Sequence, residues 1–95
     1  MEEVPVSVTA HIIGRVQGVG FRFWAEREAQ ALGLSGWVAN EADGSVRTVL
    51  TGRRDAVALM LDKLRQGPPL ARVDRVVSEP TDPEDSEDEG FRILG

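Results

Sequence analysis

VPVSVTAHIIGRVQGVGFRFWAEREAQALG, residues 4–33, contains two periodicities and the break between them. Through residue 13 the chain alternates: Val4, Val6, Val8, Ala10 and Ile12 share one side, the pattern of a half-buried β-strand. From Phe21 the spacing lengthens. Phe21, Ala25, Ala29 and Leu32 recur as one stripe of a helix, and Gly33 offers a left-handed stop. Between strand and helix lie Gly14, Gly18 and Gly20, with Arg22 just after them. His11 falls on the strand's polar side, where a surface position is the default for a single histidine.

Outward from this stretch the same two patterns return. LSGWVAN (34–40) reads as a second strand, ADG (42–44) as a tight turn, and SVRTVLTG (45–52) as a third strand. Val57, Met60, Leu61 and Leu64 form an i, i+3, i+4, i+7 stripe, so 53–66 is expected to be an amphipathic helix ended by Gly67 and the two prolines behind it. ARVDRVVSE (71–79) is a fourth strand with imperfect alternation, and FRIL (91–94) a short fifth. The order β-α-β-β-α-β plus a tail predicts an α+β, ferredoxin-like sandwich. Right-handed crossovers then put both helices on one face of an antiparallel sheet, with a short C-terminal fifth strand.

A length of 95 residues suits a single domain over 1–95. The chain has no cysteine, which excludes disulfides, thiolate metal sites and a cysteine nucleophile. No apolar run approaches the ~20 residues that span a membrane, and no secretory leader opens the chain, so a cytoplasmic protein is expected. The net charge of −5 is unevenly placed: EPTDPEDSEDE (79–89) carries seven acids and no base, leaving +2 for the rest. That segment is expected to be a mobile, solvated loop. Five aromatics and no basic stripe make a nucleic-acid binder a poor fit.

The glycine loop has a chemical reading. Free N–H groups and the positive dipole end at a helix start, approached through glycines without Cβ atoms, form a cradle for an anion. Arg22 adds a fork suited to phosphate oxygens. Glycine spacing alone describes a sharp turn equally well. The Gly-Lys-Ser/Thr ending of a P-loop and the G-x-G-x-x-G dinucleotide spacing are both missing, so the cradle suits one phosphate.

GRVQGVGFR (14–22), GWVAN (36–40), DGSV (43–46) and Gly67-Pro68 together resemble the signature of the acylphosphatase family. The likeness covers nearly the whole chain and departs from it across the acidic segment, which is longer and more acidic than the family pattern. It implies the same sandwich fold and hydrolysis of carboxyl–phosphate anhydrides to a carboxylate and inorganic phosphate. Carried onto this sequence, the phosphate loop falls on Arg15, Val16, Gln17, Gly18, Val19 and Gly20, and the catalytic pair is Arg22 and Asn40. On its own, Asn40 before a turn is ordinarily only a turn former. Its parity with Gly36 and Val38 nevertheless places it on the helix-covered face, beside the loop.

On this reading the loop amides and Arg22 hold the phosphoryl group, and Asn40 fixes a water for in-line attack. A carboxylate is a good leaving group, so neither a general acid nor a metal is demanded, and no cofactor is implied. The expected partners are a small acyl phosphate as substrate and inorganic phosphate as product and inhibitor. Nucleic acid and membrane are not expected, and a monomer is. Two rivals belong to other classes. One is a binding domain of the kind found within the much longer carbamoyl-transfer maturation proteins, against which the short chain argues. The other is a regulatory or nucleic-acid-binding ferredoxin-like domain, which would need aromatics on the open sheet face.

Overall fold

A computed structural model of the chain describes residues 4–82 and 90–95. Its elements run β1 (Val6–Arg15), α1 (Phe21–Ala31), β2 (Ser35–Asn40), β3 (Val46–Gly52), α2 (Arg54–Gln66), β4 (Arg72–Pro80) and β5 (Phe91–Ile93). The sheet order is β4-β1-β3-β2-β5. The four longer strands pair antiparallel, and β5 joins the free edge of β2 in parallel. The chain is thus the expected α+β, ferredoxin-like sandwich with a short added strand.

Alternation in β1 sorts its residues as the sequence suggests. Ala10 and Ile12 are fully buried, and Val6 and Val8 pack against the same core, while Val4 lies before the strand and is exposed. Phe21, Ala25 and Ala29 of α1 and Val57, Met60 and Leu64 of α2 close over this face. Full burial of a large apolar side chain stabilises by about 1.5–3 kcal/mol. The polar link across the helices, Glu28 to Lys63 at 3.1 Å, is partly exposed and worth at most about 1 kcal/mol. Packing therefore holds the helices down. Helix α1 stops as expected at Gly33 (φ 73), where Gly33 N–H donates to Gln30 O and Leu34 N–H to Ala29 O, a Schellman arrangement.

Among the described residues the opposite face carries no helix, yet it buries Ser7, Thr9 and Val49. Ser7 and Thr51 hydroxyls meet at 2.7 Å there, and the Arg47 guanidinium stacks over the Trp37 ring at 5.7 Å.

Along β4 one expectation finds its cause and another needs correction. Its alternation breaks because the pairing with β1 shifts at Ile13/Gly14, so that Ile13 faces Arg75 and Gly14 faces Val73, leaving Asp74 as a bulge. That extra residue lets Val73 and Val76, three apart, both pack on the core. The strand also runs one residue past the expected 71–79, so the loop expected over 79–89 does not begin at Glu79. Glu79 and Pro80 belong to β4, opposite Thr9 and Val8, and Thr81 N–H still donates to Ser7 O at 3.0 Å. Backbone pairing is indifferent to charged side chains that stay in water, and an edge strand tolerates proline. Thr81 and Asp82 lie outside any strand, and the rest of the expected mobile loop, 83–89, lies outside the described residues.

Candidate active site

Because β1 and β2 are parallel, with β3 antiparallel between them, the ends of β1 and β2 lie at the same edge of the sheet. The loop into α1 and the turn into β3 therefore meet there. Arg15 closes β1, exposed and paired with Arg72. Val16 is buried and Val19 packs against the core, and these two apolar anchors pin the loop. Gln17 is half-buried, while Gly18 and Gly20 are exposed with φ of 75° and 78°, in the left-handed region. A Cβ at either glycine would meet nothing within 4 Å, so glycine is required here for conformation and not for space.

Helix α1 starts without a side-chain cap and without an acid in its first turn. Among the described residues, no hydrogen bond takes up the backbone N–H groups of Gln17, Gly18, Val19 and Gly20. Loop and helix start together present donors and the positive dipole end, with no carboxylate in the first turn of α1 to neutralise them. Arg22 stands on this first turn, and its Nη1 donates to the main-chain oxygen of Gly95 at 2.5 Å.

Asn40 is the last residue of β2, opposite Val46, on the helix-covered face. Its backbone N–H donates to the same Gly95 oxygen at 3.1 Å, so Arg22 and Asn40 converge on one acceptor. The Asn40 Oδ1 is buried and has no hydrogen-bond partner. A buried carbonyl oxygen without a donor is costly, and it leaves Asn40 Oδ1 with its accepting capacity unused.

Three contributors were not read from the sequence. Gly95 is one, since no local pattern marks a residue 73 positions from Arg22 as its acceptor. The Gln17 side chain is another: its Nε2 donates to the carbonyls of Glu41 (2.8 Å) and Ser45 (2.9 Å). The Asp43 side chain is the third: the sequence places Asp43 in the 42–44 turn without marking its bonds to Ser45. Its Oδ1 accepts from Ser45 Oγ at 2.6 Å and from Ser45 N–H at 2.9 Å. The Ser45 hydroxyl first, and then its N–H, hold the Asp43 carboxyl below its ordinary 3.8.

A groove of about 610 Å³, lined by Ala31, Leu32, Arg53, Asp55, Leu59 and others, lies at the far end of α1, away from these residues. The candidate site is a surface cradle and not this groove. Among the described residues, no cluster of three His, Asp or Glu side chains could hold a metal ion, and no helix is long and apolar enough to cross a membrane.

The family model described as Acylphosphatase matches residues 8–93. An acylphosphatase of Mesorhizobium japonicum is 55% identical over 73 residues, covering 77% of this chain and 78% of that protein. One from Rhizobium etli is 47% identical over 89 residues, 94% of each. The solved structure of an acylphosphatase from Coxiella burnetii superimposes with a TM-score of 0.86 at 35% identity, over 95% of this chain and 93% of that one.

Proposed function

The chain belongs to the acylphosphatase family, and from that premise we propose that it hydrolyses acyl phosphates by a metal-independent, in-line attack of water at phosphorus. The observation that carries the mechanism is the buried, unpartnered Oδ1 of Asn40, the residue whose backbone N–H shares the Gly95 oxygen with Arg22.

The phosphoryl group occupies the cradle of residues 15–20, its oxygens taking hydrogen bonds from loop amides and from the Arg22 guanidinium. As the transferring group loosens, charge spreads over its equatorial oxygens and along the bond to the leaving group, where preorganised donors count most. Asn40 Oδ1 accepts a hydrogen bond from the attacking water and so turns a lone pair toward phosphorus. The new P–O bond forms as the bond to the acyl oxygen breaks, and the carboxylate leaves with the electron pair. A substrate phosphate oxygen takes the water's proton, so no side chain acts as a base. The carboxylate's low basicity removes the need for a metal or a general acid at the leaving group. Inorganic phosphate, the product, fits the same cradle and inhibits. The enzyme works as a monomer in the cytoplasm.

Steady-state turnover of benzoyl phosphate with chelator in excess tests this reading. Hydrolysis at an undiminished rate, with phosphate competitive, is the expected result. Activity that vanishes with chelator and returns with a divalent ion contradicts it.

A further inference from the structure

We propose that Gln17 is a positioning residue whose side-chain amide locks the anion loop to the strand end that carries Asn40. This rests on the roles given above to Arg22 and Asn40. The two bonds from Gln17 Nε2, to Glu41 O at 2.8 Å and Ser45 O at 2.9 Å, use both of its protons. Their acceptors flank the last rung of the β2–β3 ladder. Glu41 directly follows Asn40, and Ser45 directly precedes Val46, the residue opposite Asn40. One amide thus clasps the ladder from both strands, one residue away from the group that is to hold the water.

Neither partner needs the clasp in order to form. The hairpin closes itself through Glu41 N–H to Ser45 O (2.9 Å), Gly44 N–H to Glu41 O (3.1 Å) and the Asp43–Ser45 bonds. The loop is anchored independently by Val16 and Val19. Among the described residues, the two Gln17 bonds are the only hydrogen bonds joining residues 16–20 to residues 40–46. What they fix is the position of one module relative to the other. That is the quantity on which in-line attack depends, because the water is held by the hairpin end and the phosphorus by the loop.

The full-length chain is assayed as wild type, Gln17→Leu, Asn40→Ala and the double variant, with kcat, KM, the phosphate inhibition constant and the melting temperature measured for each. Gln17→Leu keeps the size and removes both donors. Its kcat is expected to fall roughly ten- to a hundred-fold, as for a misplacement of about 1 Å, with phosphate inhibition changed by less than about threefold. In the Asn40→Ala background the same substitution should lower kcat by less than about threefold, since there is no longer a water-holding group to misplace. Equal losses in both backgrounds, phosphate inhibition that weakens in step with kcat, or an unaltered kcat each overturn the positioning role. If Gln17→Leu melts below the assay temperature, the unbranched Gln17→Met must give the same split. An Asn40→Ala enzyme with wild-type kcat contradicts the water role itself and takes the positioning role with it. An impaired Asn40→Ala beside an unimpaired Gln17→Leu contradicts the positioning role alone.

Discussion

Arg22 puts a guanidinium at the end of α1 where the helix dipole is already positive, with no acid in the first turn to offset it. Such a placement costs a helix about 0.3–1 kcal/mol at an exposed site, and it makes sense if an anion is to be bound there. Arg22→Ala removes that cost together with the exposed bond to Gly95 O, so the melting temperature should change little while turnover falls by about a hundred- to a thousand-fold or more. Arg22→Lys should recover little of it, because a point charge replaces a planar fork. Turnover assays with melting curves check both, and near-wild-type rates in a folded Arg22→Ala protein would remove Arg22 from the mechanism. Asp43 gives a prediction about pH. Its folded-state carboxyl titrates below the ordinary 3.8 because Ser45 donates to the charged form, so its contribution to stability is complete above 3.8. As pH falls through the lowered value that contribution disappears. Asp43→Ala should thus lower the melting temperature at neutral pH, with the gap to wild type shrinking below pH 3.8. A gap that stays constant into acid contradicts the charge-dependent part.

Among the elements, the join of β1 and β4 is the least forgiving. A Cβ on Gly14 would come within 2.2 Å of Arg72 O and 2.8 Å of Asp74 N, at a φ of 143°. Both are backbone atoms of β4, at the bulge and two residues before it, and cannot swing aside as a side chain can. Gly14→Ala is expected to destabilise by about 2 kcal/mol or more in denaturant unfolding, and a change below about 0.5 kcal/mol would show that the bulge relaxes freely. The three glycines that open the chain's motif therefore divide: Gly14 serves strand packing, and Gly18 and Gly20 serve the loop. Their common residue type hid that difference, since close approach and positive φ both demand glycine. The strands and helices themselves were legible because one buried face imposes a period, as in β1 and α2. β4 was blurred where Asp74 interrupts that period, and Pro80 was placed in the acidic loop because it pairs through backbone alone. Arg22 and Asn40 could be proposed from motif and parity. The Gln17 clasp and the Gly95 oxygen could not, because each depends on which distant segments the closed sheet brings together.

For the whole molecule, the topology does the gathering. A crossover from β1 through α1 to β2 returns the chain parallel to its start, so a loop after β1 and a residue ending β2 must share one edge of the sheet. Strand ends set into a packed core hold the site more rigidly than free loops do, which suits a mechanism made of positioning and fixed donors. On the proposed mechanism it also divides the labour: loop and Arg22 grip the phosphoryl group from one side, and Asn40 faces the water from the other. The test of that division is kcat measured beside the inhibition constant for inorganic phosphate, on Asn40→Ala and wild type. An interaction made mainly in the transition state lowers kcat without loosening ground-state binding, so kcat should drop by about a hundred-fold or more while the phosphate constant stays within about threefold. If the phosphate constant weakens as far as kcat falls, Asn40 belongs to the anion cradle, and the water is held by something else.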